Sequence, residues 1–128
     1  MTLTGIIAYL GPAGTFAEEV TLRHMPQARL LPFPSITAVA VAVDTGMAEE
    51  GVVPIENSLE GSVPETLDLL IHESKLSIRR ELVLPINHHL MVKPGTSPQE
   101  IRAIYSHPMA LGQCRRFIER CFPRAQLE

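Results

Sequence analysis

The stretch Ile6-Ile7-Ala8-Tyr9-Leu10-Gly11-Pro12-Ala13-Gly14-Thr15-Phe16 decides the architecture. Its apolar run, stopped by Gly-Pro, reads as a short strand buried on both faces. The small-residue turn that follows leads straight into a helical pattern over residues 15–25, with Phe16, Val20 and Leu22 on one side. Thr15 and Glu18 have the spacing of a capping box, in which two side chains satisfy backbone N–H groups at a helix start.

The same alternation continues outward. Residues 28–33 read as a second strand. Residues 35–45 read as a helix capped by Ser35 and closed by Gly46, although its valines weaken the intrinsic preference. Gly51-Val52-Val53-Pro54-Ile55 reads as a third strand that opens into a polar loop over residues 56–61. Ser62-Val63-Pro64-Glu65 has capping-box spacing and starts a helix to Ser74, with Leu67, Leu70 and Ile71 as its buried stripe. Residues 76–84 and 87–92 read as extended. Ser97-Pro98-Gln99-Glu100 is a third capping box, residues 103–105 a brief strand, and residues 108–122 one helix carrying Leu111, Cys114, Phe117, Ile118 and Cys121 at helical spacing. Strands alternating with helices indicate an α/β fold with a mainly parallel sheet. A crossing near residues 76–84 divides the chain into a first lobe, 1–80, and the start of a second, 81–128.

Composition narrows the function classes. Of 128 residues, 45% are hydrophobic and 20% charged, enough for a packed core. A net charge of −3, two tyrosines, four phenylalanines and no tryptophan leave neither a basic face nor stacking platforms for nucleic acid. The longest soft stretch, residues 36–43, is far shorter than the ~20 apolar residues that span a bilayer, and no basic segment opens a secretory signal. On one helix, Cys114 and Cys121 stand about 10.5 Å apart along the axis, beyond disulfide reach. Two unpaired thiols fit a reducing, cytoplasmic setting.

Three loops follow strands and run into helix starts: residues 11–15, residues 56–62, and Ser106-His107-Pro108. Ligands of open α/β sheets sit at the carboxyl ends of the strands, and helix N-termini favour anions. A small carboxylate or phosphate ligand is the functional reading; capped turns are the plain one. The first loop lacks the Gly-Lys-Ser/Thr ending of a P-loop. His88 and His89 are adjacent, so on a strand they face opposite ways and cannot hold one metal together. His24, His72 and His107 have no partner at ligand spacing. Glu56 and Glu60 have the chemistry of an acid/base pair, but loop carboxylates also serve as caps. Arg115, Arg116, Arg120 and Arg124 suit a helix C-terminus and a solvated face.

Three blocks are together similar to one family. Tyr9-Leu10-Gly11-Pro12 with Gly14-Thr15-Phe16 resembles the opening of prephenate dehydratases. So does Gly51-Val52-Val53-Pro54-Ile55-Glu56-Asn57-Ser58-Leu59-Glu60-Gly61-Ser62-Val63, followed by Thr66-Leu67-Asp68-Leu69-Leu70. Ile104-Tyr105-Ser106-His107-Pro108, with Ala110-Leu111 and Gln113-Cys114, completes the order. The resemblance implies a two-lobed fold like the type II periplasmic binding proteins, with the second lobe incomplete in this chain. It implies conversion of prephenate to phenylpyruvate in phenylalanine biosynthesis, without metal or cofactor. It assigns catalytic roles to Asn57, Ser106 and Gln113. Thr15, Glu56, Ser58, Gly61, Ser62 and His107 become substrate-binding residues, with loop-pinning the alternative role for Glu56 and helix-start orientation that for His107.

The chain departs from the pattern at Met109, where glutamine is common, and at Gly112, where alanine or glutamine is usual. No Thr-Arg dipeptide occurs in the 128 residues, whereas the family draws its proton donor from a downstream Thr-Arg-Phe motif. The expectation is therefore an N-terminal part of the catalytic unit, impaired on its own and without the ACT regulatory domain. The alternative is a non-catalytic carboxylate-binding module of the same fold. Uncovered strand edges and apolar faces predict a homo-oligomer, with element exchange one route.

Overall fold

The computed structural model describes residues 5–59 and 61–128. They form two compact units, Met1–Pro85 and Ile86–Glu128.

In the first unit, β1 (Ile6–Leu10) is the centre of a three-stranded parallel sheet, flanked by β2 (Arg29–Phe33) and β3 (Glu50–Val52) in the order β2-β1-β3. Ile6 pairs with Arg29 and Leu10 with Phe33; on the other side Ala8 pairs with Gly51. Ile7, Ala8 and Tyr9 are all buried, which is why β1 is continuously apolar rather than alternating. β2 tolerates Pro32 because it is an edge strand. Arg29 donates to Gly5 and Phe33 accepts from Gly11, so the odd-numbered residues face β1 and Pro32 needs no donor.

Helices α1 (Phe16–His24) and α2 (Ile36–Asp44) connect the strands. Ser35 caps α2 as expected, its hydroxyl accepting from the Ala38 N–H at 3.1 Å. Packing overrides the weak helix preference of its valines. Val39 and Ala42 pack with Ala8 and Ala48, while Ile36 and Ala40 pack with Leu69. Burying a side chain such as Val39 is worth about 1.5–3 kcal/mol over leaving it exposed.

Several local expectations are corrected. In α1 the buried side chains are Val20 and Thr21, while Phe16 and Leu22 are exposed. Thr15 makes no cap bond; its hydroxyl leans on the Leu10 carbonyl at 3.4 Å. The polar loop after β3 is a small antiparallel hairpin, β4 (Glu56–Asn57) with β5 (Gly61–Ser62). Ser62 belongs to that hairpin, so Val63 is the N-cap of α3 (Pro64–Asp68) and proline fills its first position. The continuation, Leu69–Glu73, widens into a π-turn; Thr66 of α3 and Leu69 of the turn are buried, and Ile71 is exposed. Residues 76–92 join no strand ladder among the described residues.

In the second unit, β6 (Ala103–Ile104) pairs in parallel with β7 (Gln126–Leu127). The Ser97–Glu100 capping box forms around a single 3₁₀ turn, with Ser97 N–H donating to Glu100 at 2.7 Å. The expected single helix is two, α4 (Pro108–Gln113) and α5 (Arg115–Cys121). Cys114, at φ −96° and ψ 4°, leaves the helical well two residues after Gly112, the weakest helix former in the segment apart from its proline start. Ile118 is the buried member of the apolar stripe; Phe117 and Cys121 are exposed, and both cysteines are free.

Candidate functional site

Strand order locates the crevice in the first unit. The chain passes from β1 to β2 on one side and returns to β3 on the other, so the order reverses between β1 and β3. Loops leaving neighbouring strands in opposite directions open a gap at the carboxyl edge, where α/β sheets bind ligands. Residues 11–15 leave β1 there, and residues 53–62 leave β3.

The first loop is held from within. Buried Tyr9 donates its hydroxyl to Glu18 Oε1 at 3.1 Å, and Gly14 N–H donates to Glu18 Oε2 at 2.6 Å. Burial, then the hydrogen bond and charge of Glu18, push the tyrosine hydroxyl's pKa up, so it remains a donor. Glu18 thus occupies a position beside the α1 N-terminus that an external anion would otherwise use. An apolar depression of about 480 Å³ lies on the β2 side, lined by Gly11, Pro12, Ala13, Pro32, Phe33 and Pro34. Its lining has no polar side chain to grip a carboxylate.

The second loop carries most of the predicted residues. Pairing of Glu56 with Ser62 and of Asn57 with Gly61 brings Glu56, Asn57, Ser58, Gly61 and Ser62 into one hairpin. Asn57 Oδ1 accepts from Leu59 N–H at 2.9 Å, an Asx turn that aims the amide. Gly61 has φ +82°, a left-handed conformation that L side chains resist. Val63 N–H donates to the Ile55 carbonyl, closing the hairpin base. Fully buried Thr66 donates its hydroxyl to the Pro54 carbonyl at 2.6 Å, tying α3 to the strand exit. Thr15 stands apart, at the start of α1.

The second unit holds the rest. Ser106 follows β6, its N–H donating to the Glu128 carbonyl. His107 is the N-cap of α4, its Nδ1 accepting from Met109 N–H at 3.2 Å. That bond leaves the neutral ring's proton on Nε2. Gln113 ends α4, about 7.5 Å along the axis from its start. Its Oε1 lies 2.6 Å from His88 Nε2. Sequence reasoning missed His88, Tyr9 and Thr66 as supports of these loops, and it paired Glu18 with Thr15 where the structure pairs it with Tyr9 and Gly14. Among the described residues, no three His, Cys, Asp or Glu side chains converge as a metal set.

The prephenate dehydratase family profile matches residues 7–128. The chain belongs to the prephenate dehydratase family. It is 41% identical over 122 residues to the bifunctional chorismate mutase/prephenate dehydratase of Aquifex aeolicus, covering 94% of this chain and 33% of that one. It is 40% identical over 125 residues to the prephenate dehydratase of Bacillus subtilis, covering 95% and 44%. A crystal structure of prephenate dehydratase from Arthrobacter aurescens, in complex with L-Phe, superposes with a TM-score of 0.84 at 34% identity, over 96% of this chain and 41% of that one. GqqA, described as a novel type of quorum quenching acylase, superposes at 0.71 with 31% identity, over 96% and 44%. The chain spans between a third and somewhat under half the length of these relatives.

Prephenate dehydratase membership accounts for the extended match through the hairpin and the Ser106-His107-Pro108 block together. The fold is the α/β fold of the family's periplasmic-binding-protein-like structures. No helix among the described residues is long and apolar enough to cross a membrane.

Proposed function

We propose that this chain supplies the substrate-gripping part of a prephenate dehydratase, which converts prephenate to phenylpyruvate. Loss of the ring carboxylate as carbon dioxide sends its bonding pair into the ring. The ring becomes aromatic as the C–O bond to the hydroxyl breaks, and the hydroxyl leaves as water after accepting a proton. Aromatisation drives the step, so the protein's task is to orient a dianion and protonate the leaving group.

In this reading Asn57, Ser106 and Gln113 touch the reacting substrate. Thr15, Ser58, Ser62, the Gly61 backbone and His107 line the binding site, and Glu56 shapes the hairpin beside it. Neutral donors hold carboxylates without adding negative charge. The observation that carries the reading is the hairpin at the β1/β3 switch point, where the family's longest motif sits on an Asx turn that aims the Asn57 amide.

The test is a chimaera in which this chain replaces the matching segment of the Bacillus subtilis relative. It is expected to form phenylpyruvate from prephenate at neutral pH, above the spontaneous rate. Asn57→Asp keeps the turn's acceptor but removes the NH2 donor and adds charge, so turnover is expected to fall by about 100-fold, the loss of one transition-state donor, with circular dichroism unchanged. A folded chimaera that leaves prephenate untouched refutes the function. Loss of folding in Asn57→Asp makes the residue structural.

We also propose a homo-oligomer, with exchange of elements one way to form it. Ile78, Val83 and Met91 are 67%, 77% and 88% exposed in segments that join no ladder among the described residues. A monomer by light scattering overturns this. The two free cysteines fit a reducing compartment, and we place the protein in the cytoplasm.

A further inference from the structure

The Gln113 side chain has two chemically opposite ends. Its carbonyl oxygen accepts hydrogen bonds and its NH2 donates them. Only the second can hold a carboxylate. Which end points outward is therefore decided by what the other end meets.

His88 stands 25 residues earlier in sequence and within the same compact unit. Its Nε2 lies 2.6 Å from Gln113 Oε1. The amide oxygen carries no proton, so the contact is a hydrogen bond only if the ring donates through Nε2–H. With the ring proton on Nε2, turning the amide over would place its NH2 against that N–H, donor against donor. The bond is lost and a repulsion takes its place.

We propose that His88 is a positioning residue, holding the Gln113 carbonyl so that the Gln113 NH2 is presented as the donor to a substrate carboxylate. The role rests on the dehydratase reading of Gln113. It assigns a task to the Asn87-His88-His89 segment other than metal binding. It also explains how a half-exposed amide at a helix end keeps one sense.

Two measurements test it. In the ¹⁵N-labelled 128-residue chain, the His88 ring is expected as the Nε2–H tautomer. His88→Ala is expected to move the Gln113 side-chain amide resonances, and His88→Gln, which keeps an N–H donor at nearly the same place, to return them. In the chimaera, His88→Ala is expected to raise the KM for prephenate about three- to ten-fold, the range of one exposed hydrogen bond, and His88→Gln to restore it. His88→Glu, which faces the Gln113 carbonyl with an acceptor, is expected to be worse than His88→Ala. An Nδ1–H tautomer, an unmoved Gln113 amide, or a glutamine variant no better than alanine overturns the proposal. If the unsubstituted chimaera ignores prephenate, the dehydratase reading and the proposed role for His88 both fail, and the NMR result then reports only which end of Gln113 the ring holds. If His88→Ala unfolds by circular dichroism, the wild-type tautomer and the glutamine variant decide the case.

Discussion

Thr66→Val asks whether one buried hydroxyl holds the functional hairpin in place. Thr66 is 0% exposed, and its hydroxyl donates to the Pro54 carbonyl at 2.6 Å, across twelve residues that contain the whole of β4 and β5. Valine keeps the shape and removes the donor. The Pro54 carbonyl then loses this partner at the edge of the buried Thr66 side chain, a cost of about 0.5–1.5 kcal/mol for one hydrogen bond. That shifts the unfolding equilibrium of the first unit by about two- to thirteen-fold. Thr66→Ser keeps the donor and loses a methyl group, at about 0.8 kcal/mol. Urea unfolding followed by circular dichroism reads the midpoint, which is expected to fall for valine. Hydrogen exchange at Val63 N–H, which closes the hairpin base on Ile55, is expected to accelerate in step. A valine variant as stable as the wild type, with unchanged Val63 exchange, refutes the clamp.

Two further outcomes follow from geometry and charge. A methyl group at Gly51 would stand 2.8 Å from Val39 Cγ1 and 3.1 Å from Val43 Cγ2, so Gly51→Ala is expected to cost about 1–3 kcal/mol by overpacking; an unchanged melting temperature would show that α2 moves aside freely. Hydrogen bonds from the Ser97 N–H and hydroxyl hold the Glu100 carboxyl below its ordinary range. A carboxyl depressed on folding stabilises the folded turn above its unfolded pKa, and that contribution disappears as pH falls through the folded value. The Ser97 amide resonance is therefore expected to titrate at a lower pH than a free carboxylate, and Glu100→Gln to abolish the titration; a midpoint at the ordinary value contradicts the capping role.

The sequence was most legible where a pattern is local. The apolar run 6–10, the Ser35 cap and the Ser97–Glu100 box each depend on neighbours within four residues, and each appears in the structure. It was least legible where a side chain had a choice of partners. Thr15 and Glu18 have capping-box spacing, yet buried Tyr9 offers Glu18 a second donor and draws it onto Gly14 instead. Ser62 has the same spacing with Glu65, yet pairing with Glu56 commits it to a strand. The break at Cys114 lies between these cases: Gly112 signals weakness in the helix without saying where it parts.

Residue types and their order determined on their own the alternation of strands and helices, the parallel sheet and the three motif blocks that mark the family. Strand order, by contrast, emerged only on folding. Which neighbour β1 takes on each side is set by how α1 and α2 cover the sheet, and that choice creates the switch point. The pairings of Thr66 with Pro54 and of His88 with Gln113 are likewise decided in three dimensions. They join residues 12 and 25 apart, and no periodic pattern encodes a contact between two side chains that meet only after the intervening chain has packed.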